Sequence, residues 1–213
     1  MQDIFALVIE GLDDLKDLEN LPQEMIKAAR IAVNDAATRG RTAMGKEVLH
    51  QINFPSDYVS PRNKRLYVSQ KANNKDLQAV ITARSRPTSL ARFAQTTSTK
   101  GKGGVRVELK RGAVRTIPGK RAEGYSAFLM KLRAGSADLD TKANLGLAMR
   151  VPPGKRPSGA YKPKPIGNNL YLLYGPSVSQ LLHGATTGRG VATDLTPDIQ
   201  QMLSDEFWRQ MEL

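Results

Sequence analysis

The feature that most constrains the fold is a long stretch of helical periodicity over residues 22–53. Pro22 suits the first turn of a helix, Glu24 complements the positive end of the helix dipole, and Pro55 cannot continue the helix. Its apolar positions recur at helical spacing, and most of them are small: Met25, Ile26, Ala29, Ala32, Val33, Ala36, Met44, Val48 and Ile52. The pattern predicts a long Ala-rich helix whose thin face lets another backbone approach closely.

Two terminal segments also have amphipathic patterns. Residues 1–20 space their apolar side chains by three and four with acidic residues between them, and Gly11 interrupts the pattern. At the other end, the sequence around Thr196 and Pro197 is typical of a helix N-terminus. We expect an N-terminal amphipathic segment over residues 1–20 and a C-terminal helix over residues 196–213.

The middle of the chain has strand patterns instead. The most regular is 105–110, where charged and apolar residues alternate strictly. Further strands are predicted at 76–83, 127–133, 145–151 and 170–174, whereas 152–165 is rich in proline and predicts an extended arm or loop. The order indicates an α+β fold in a single domain over residues 1–213. In it, the long N-terminal helix and the C-terminal helix pack on a largely antiparallel sheet over 76–178, with extended loops.

Charge is distributed very unevenly along the chain. The formal net charge is +12, yet residues 61–165 alone carry 24 Lys and Arg against 5 Asp and Glu. Residues 1–60 and 166–213 are both net acidic. A field of this kind attracts polyanions, or acidic surfaces on a partner or on a neighbouring copy.

No pattern of catalysis or of cofactor or metal binding is detectable. The chain has no cysteine, its two histidines are His50 and His183, and it lacks the Gly-x-Ser-x-Gly motif. Gly40 to Glu47 approaches the phosphate-binding-loop pattern, but the segment is predicted to be helical and Glu47 replaces the hydroxyl that magnesium requires. We therefore expect a protein that is not an enzyme and has no cofactor.

Basic residues near predicted loops and strand ends are the candidate contact residues. Few aromatic side chains accompany them, so non-specific contact with duplex DNA and docking on acidic protein surfaces are both favoured over recognition by base stacking, and the two remain open. The candidates are Arg84, Arg86, Lys100, Lys102, Lys110, Arg111, Lys120, Arg121, Lys155, Arg156 and Arg189.

Three features in this order give the chain a resemblance to a known family. They are the Ala-rich helix followed by a basic segment from Ser60, then basic strands around Ile117-Pro118-Gly119 and Ser126 to Leu129, and finally the string Tyr174-Gly175-Pro176-Ser177 before a terminal helix. In these features the chain resembles the phage minor tail protein Z and tail-completion family. The Pro-rich arm 152–165 and the glycine loop 184–190 depart from that family's pattern.

The resemblance implies a structural role in the virion, at the neck or tail end of a long-tailed phage. Such proteins complete the tail and help join it to the DNA-filled head, and related neck proteins form six-fold rings around the DNA channel. The implied partners are further copies of the chain in a ring, the tail terminator, tail tube and head-connector proteins, and non-specific double-stranded DNA in the channel. The resemblance supplies no catalytic residues.

The same charge distribution leaves a second hypothesis, a non-specific nucleic-acid-binding protein that acts free of a virion.

The sequence shows no apolar run long enough to span a bilayer, and its first residues lack the basic segment of a signal peptide. We expect a soluble protein that is made in the host cytoplasm, does not bind membranes and, under the first hypothesis, becomes part of the virion.

Overall fold

A computed structural model describes residues 5–10, 22–95, 104–117, 124–132, 144–157, 162–184 and 190–212. The chain divides into two compact units, each built from segments that are far apart in sequence. Unit 1 comprises Met1–His50, Pro55–Arg86 and Ser177–Leu213, and unit 2 comprises Gln51–Phe54 and Pro87–Pro176. Helices near both ends and antiparallel sheets confirm the predicted α+β class. The single domain over residues 1–213 stays a prediction.

Unit 1 contains all the α-helices of the described residues and one three-stranded sheet. The sheet has the order β1-β3-β2 and both of its pairings are antiparallel. The elements are β1 (Phe5–Glu10), α1 (Gln23–Gln51), a 3-10 helix (Pro61–Asn63), β2 (Leu66–Gln70), β3 (Gln78–Ala83), α2 (Val178–Leu182) and α3 (Val191–Met211).

Small residues of α1 pack against α3 at two places. Ala28, Ala29 and Ala32 are buried in one cluster with Leu77 and Phe207. Further along α1, a Cβ atom at Gly40 would lie 2.9 Å from Cδ1 of Ile199 in α3. The lack of a side chain at this position is therefore what allows the two helices to approach so closely.

The described part of the N-terminal segment is a strand, so the helical spacing of three and four is misleading there. Residues Phe5–Glu10 pair with β3 from Phe5 opposite Ala83 to Glu10 opposite Gln78. This stretch is a continuous apolar run before Glu10, and such a run fits a paired strand as well as a helix. A partner strand distant in sequence decides between them. Residues 11–20 lie outside the described residues.

The C-terminal helix begins five residues earlier than predicted. Its N-cap is Gly190, whose carbonyl oxygen accepts from the amide of Asp194 at 3.0 Å. Thr196 is not a cap, because its hydroxyl donates to the carbonyl of Ala192 at 2.8 Å, and Pro197 lies inside the helix. The Thr-Pro pair therefore predicted the wrong first residue for this helix, because the helix accommodates Pro197 within its second turn.

Unit 2 contains two antiparallel sheets and a second 3-10 helix. One sheet is the hairpin β4-β5, and the other has the order β6-β7-β9-β8. The single sheet predicted over residues 76–178 is thus wrong, because β3 belongs to a third sheet in unit 1. The elements are the 3-10 helix (Leu90–Phe93), β4 (Val105–Lys110), β5 (Ala113–Ile117), β6 (Ser126–Lys131), β7 (Leu145–Arg150), β8 (Lys162–Gly167) and β9 (Leu170–Tyr174).

The Pro-rich arm predicted over 152–165 is partly a strand. From Lys162 onward it forms β8, which pairs with β9 at the edge of the four-stranded sheet. Pro163 and Pro165 lack the amide hydrogen that a central strand would need, and an edge strand tolerates this. The prediction of an irregular arm was wrong for this part because proline excludes a central strand only.

Candidate polyanion and partner interface

The two units differ sharply in charge. Among the described residues, unit 2 carries eleven Lys and Arg side chains and a single acidic one, Glu108. The described residues of unit 1 carry thirteen basic and eleven acidic side chains. Folding therefore divides the basic centre of the sequence. The segment up to Arg86 folds into unit 1 together with the acidic ends, and the segment from Pro87 onward folds into unit 2.

The structure describes six of the predicted contact residues. Arg84 and Arg86 lie in unit 1, and the other four lie in unit 2, where all of them are exposed: Lys110, Arg111, Lys155 and Arg156. The remaining predictions fall outside the described residues, namely Lys100, Lys102, Lys120, Arg121 and Arg189.

Folding places a third arginine, Arg65, beside the two predicted ones in unit 1. Arg65 precedes β2 and Arg84 follows β3, and the antiparallel pairing of these strands brings the two residues together, with the amide of Arg84 donating to the carbonyl of Arg65 at 2.9 Å. The guanidinium of Arg65 lies 4.1 Å from the ring centroid of Tyr58 and its Nη1 donates to the Tyr58 carbonyl at 3.0 Å. The Tyr58 ring and carbonyl thus fix the position of one cation of the cluster.

The electrostatics of this arginine cluster (Arg65, Arg84 and Arg86) favour an anionic ligand. Partial burial lowers the pKa of Arg84, the positive charges of Arg65 and Arg86 lower it further, and Tyr58 opposes the shift. None of the described carboxylates forms an ion pair with any of the three arginines. Because guanidinium groups stay protonated at neutral pH, the cluster keeps three positive charges close together. A phosphate or carboxylate placed there would relieve their repulsion.

Sequence reasoning missed Arg65 as a contact residue because its neighbour in space is distant in sequence. The available signal was weak: Arg65 belongs to a basic run that begins at Arg62, and the strand after it was not predicted. Another half-buried arginine, Arg41, has a structural role instead, since its guanidinium donates to the carbonyls of Leu66 and Val59.

The β4-β5 hairpin carries several exposed basic side chains of unit 2. Lys110 ends β4, Arg111 follows it in the turn, and Arg115 is exposed in β5. The carboxylate of Glu108 accepts from the Gly112 amide at 2.8 Å and from Nε2 of Gln95 at 2.6 Å. The one acidic side chain among the described residues of this unit is therefore held by neutral donors, and it forms no ion pair with a described basic side chain.

Other exposed basic residues of unit 2 were not predicted as contacts. Their positions within strands rather than loops explain the omission, although the strict alternation of 105–110 was a usable signal for one of them. They are Arg106, Arg115, Lys131, Arg150 and Lys164.

The family-like string Tyr174 to Ser177 has a structural role in this chain. The amide of Gly175 donates to the carbonyl of Thr88 at 2.8 Å, and a Cβ atom at Gly175 would lie 3.2 Å from Leu90. Ser177 is the N-cap of α2 and forms a capping box with Gln180. Three of the four residues are buried, so the string ends β9 and starts α2.

The structure also bears on the rejected phosphate-binding loop and on metals. Residues 40–47 lie inside α1, as predicted, so no loop is present to surround a phosphate. Within the described ranges, no three His, Asp or Glu side chains are grouped to hold a metal ion. In the same ranges, no helix has the length and apolarity needed to cross a bilayer.

Comparison with models of known protein families, with curated proteins and with solved structures gave no match for this chain.

Proposed function

We propose that this chain is a structural, non-catalytic protein of a bacteriophage neck or tail end. In this role it completes the tail and helps join it to the DNA-filled head as one subunit of an oligomeric ring. The observation that carries the proposal is the division of charge, with eleven basic side chains against one acidic in the described part of unit 2. The order of sequence features shared with the tail-completion family supports it.

The charge suits a ring around a DNA channel for an electrostatic reason. A single copy has a net charge of +12, and repetition of unit 2 around an axis multiplies a field that neutralises phosphates without reading bases. Heterologous contacts between identical subunits also produce a closed ring when the rotation between neighbours closes. The chain's acidic and basic regions provide the complementarity that such contacts need.

Deletion of the gene from the phage genome that encodes this chain tests the proposal directly. We expect heads and tails to accumulate unjoined, and complementation with the intact chain to restore joined particles. Mass spectrometry of purified wild-type particles should detect the chain in a fixed number of copies. Its absence from particles, together with normal joining after deletion, would overturn the proposal.

A second candidate is a non-specific nucleic-acid-binding protein that acts free of a virion. The arginine cluster of unit 1, which forms no ion pair with a described carboxylate, favours it. This candidate predicts that the isolated monomer binds duplex DNA tightly, with an affinity that falls steeply with salt. The ring proposal predicts weak binding by the monomer, with a dissociation constant of about 10⁻⁴–10⁻⁶ M at physiological salt.

A binding titration at several salt concentrations separates the two candidates. The variant Arg65→Gln/Arg84→Gln/Arg86→Gln removes the cluster, and Arg62→Gln/Lys71→Gln/Lys75→Gln removes the same charge from exposed positions of the same unit. The free-binding candidate expects a loss of at least tenfold in DNA affinity for the first variant only. An equal, small effect of both variants would contradict that candidate.

A further inference from the structure

Four large apolar side chains are exposed among the described residues, two of them in α3, one in β5 and one in β8. Trp208 is 62% exposed and Met211 is 39% exposed, and both lie near the end of α3. Val114 in β5 is 39% exposed and Ile166 in β8 is 40% exposed. Large exposed apolar groups that cluster are typical of interaction surfaces rather than of ordinary solvent-facing helices.

The α3 pair lies beside acidic residues of the same helix end. Trp208 and Met211 are three residues apart and therefore share a face of α3, with Asp205 one turn before Trp208 and Glu212 one turn after it. Both carboxylates are exposed. Arg209, the one basic residue of this helix, already donates to the buried Glu206 at 2.6 and 2.9 Å. The end of α3 is thus an acidic surface with an exposed indole at its centre.

Val114 lies in the β4-β5 hairpin, where four of the five charged side chains are basic and exposed. The first four residues of β5 are all exposed, and the hairpin carries Arg106, Lys110, Arg111 and Arg115. The residue opposite Val114 in the register is Glu108, whose carboxylate accepts from Gly112 and Gln95. Among the described strands β5 pairs with β4 alone, so its other edge has no strand partner. Tryptophan is favourable against such a surface, because its ring attracts guanidinium and ammonium groups and also buries apolar area.

Both surfaces are exposed in the single chain, and every copy carries both of them. We infer that the end of α3, with Trp208 at its centre, docks on the β4-β5 hairpin of a second copy of this chain. The opposite charges and the exposed apolar residue on each side identify the partner. Such a contact is heterologous, because different surfaces meet, and repetition of it gives a ring when the rotation between neighbouring copies closes. The inference rests on the proposed oligomeric function and assigns residues to its subunit contact.

Trp208 reports on this contact without a label, because it is the only tryptophan in the sequence. The experiment follows the full chain over a concentration series by sedimentation velocity and by tryptophan fluorescence. As the chain associates, the emission of Trp208 should shift to shorter wavelength in step with the sedimentation coefficient, since the indole leaves water. High salt should weaken both changes together.

Matched substitutions locate the partner surface. Lys110→Glu/Arg111→Glu should weaken association at least tenfold, whereas Lys71→Glu/Lys75→Glu, an equal charge change at exposed positions of unit 1, should not. Val114→Asp should likewise weaken association, and Ile166→Asp, at a residue of equal exposure in β8, should leave it unchanged. Adding Asp205→Lys/Glu212→Lys to the Lys110→Glu/Arg111→Glu chain should restore association, because opposite charges face each other again.

The outcomes that overturn the inference differ from those that overturn the proposed function. An oligomer whose Trp208 emission stays that of a water-exposed indole would place the subunit contact elsewhere and leave the ring standing. Equal effects of Val114→Asp and Ile166→Asp would also reject the hairpin as the docking surface. A chain that stays monomeric at every concentration, and is missing from particles, would overturn both.

Discussion

Unit 1 and unit 2 differ in how far acidic side chains balance their basic ones. The described part of unit 1 nearly balances thirteen basic side chains with eleven acidic ones, including a buried carboxylate, Glu206, which is 4% exposed and hydrogen-bonded to Arg209. The described part of unit 2 has one acidic side chain against eleven basic ones and places most of the latter on exposed strands and turns. Among the described residues, unit 1 has carboxylates that pair with some of its cations, as in Arg39–Asp35 and Arg209–Glu206, whereas unit 2 leaves nearly all of its positive charge unbalanced.

The largest expected effect tests whether the two units are also separate in stability. Leu147 in β7 and Leu66 in β2 are both fully buried, one in each unit. Each Leu→Ala substitution should lower the free energy of unfolding by about 2–5 kcal/mol, through lost burial and the cavity left behind. Urea denaturation measures the loss, and hydrogen exchange locates it. We expect Leu147→Ala to reduce protection in β6, β7 and β9, and Leu66→Ala to reduce it in β2 and β3.

Loss of protection throughout both units in each variant would contradict the expectation that the two units are separate in stability. It would show that the chain unfolds as one cooperative body despite its uneven charge. Val114→Ala is a suitable control for both variants, because Val114 is exposed at the surface and its truncation leaves no buried cavity.

A smaller effect should distinguish unit 1 by its response to pH. Hydrogen bonds from Arg209 lower the pKa of Glu206, against the opposing effect of burial, and Gln210 adds a further bond at 2.8 Å. A pKa lower in the folded than in the unfolded state means that the folded chain binds fewer protons. The resulting stabilisation is complete above the unfolded pKa of about 4.3 and is lost as the pH falls through the folded value.

Glu206→Gln should therefore be less stable than the native chain at pH 7, and the gap should close as the pH falls below about 4. Thermal denaturation between pH 3 and pH 7 measures the difference. Asp198→Asn, at an exposed position of the same helix, is the control and should leave the curve unchanged. A gap of constant size at every pH would show that the Glu206 pair does not stabilise unit 1 through its charge.

The smallest expected effect concerns the close approach of α1 and α3 inside unit 1. At Gly45 an added Cβ would lie 3.6 Å from Val59, an ordinary contact, so Gly45→Ala should gain up to about 1 kcal/mol from helix propensity. At Gly40 the same atom would lie 2.9 Å from Ile199, and the steric cost should cancel that gain. Urea denaturation of the two variants checks this. Equal stabilisation by both would show that α3 moves away without cost.

The sequence determined those elements whose signal is local. The 22–53 periodicity predicted α1 to within a few residues because capping, helix-breaking and side-chain spacing all act within one segment. Strict alternation predicted β4 for the same reason. The strands that were missed, β1, β2, β5 and β8, have patterns that several structures share, and a pairing partner elsewhere in the chain decided between them.

The sequence by itself also determined that this protein is strongly basic and that its charge is concentrated in the centre of the chain. Only the tertiary structure decided where that charge goes, because antiparallel pairing placed Arg65 beside Arg84, and the acidic ends folded with the first basic segment into unit 1. Charge counts depend on composition alone, whereas neutralisation depends on distances that non-local contacts set. What reads as one positive block in sequence is divided by folding between unit 1, which contains the arginine cluster, and unit 2, which has exposed basic strands and turns.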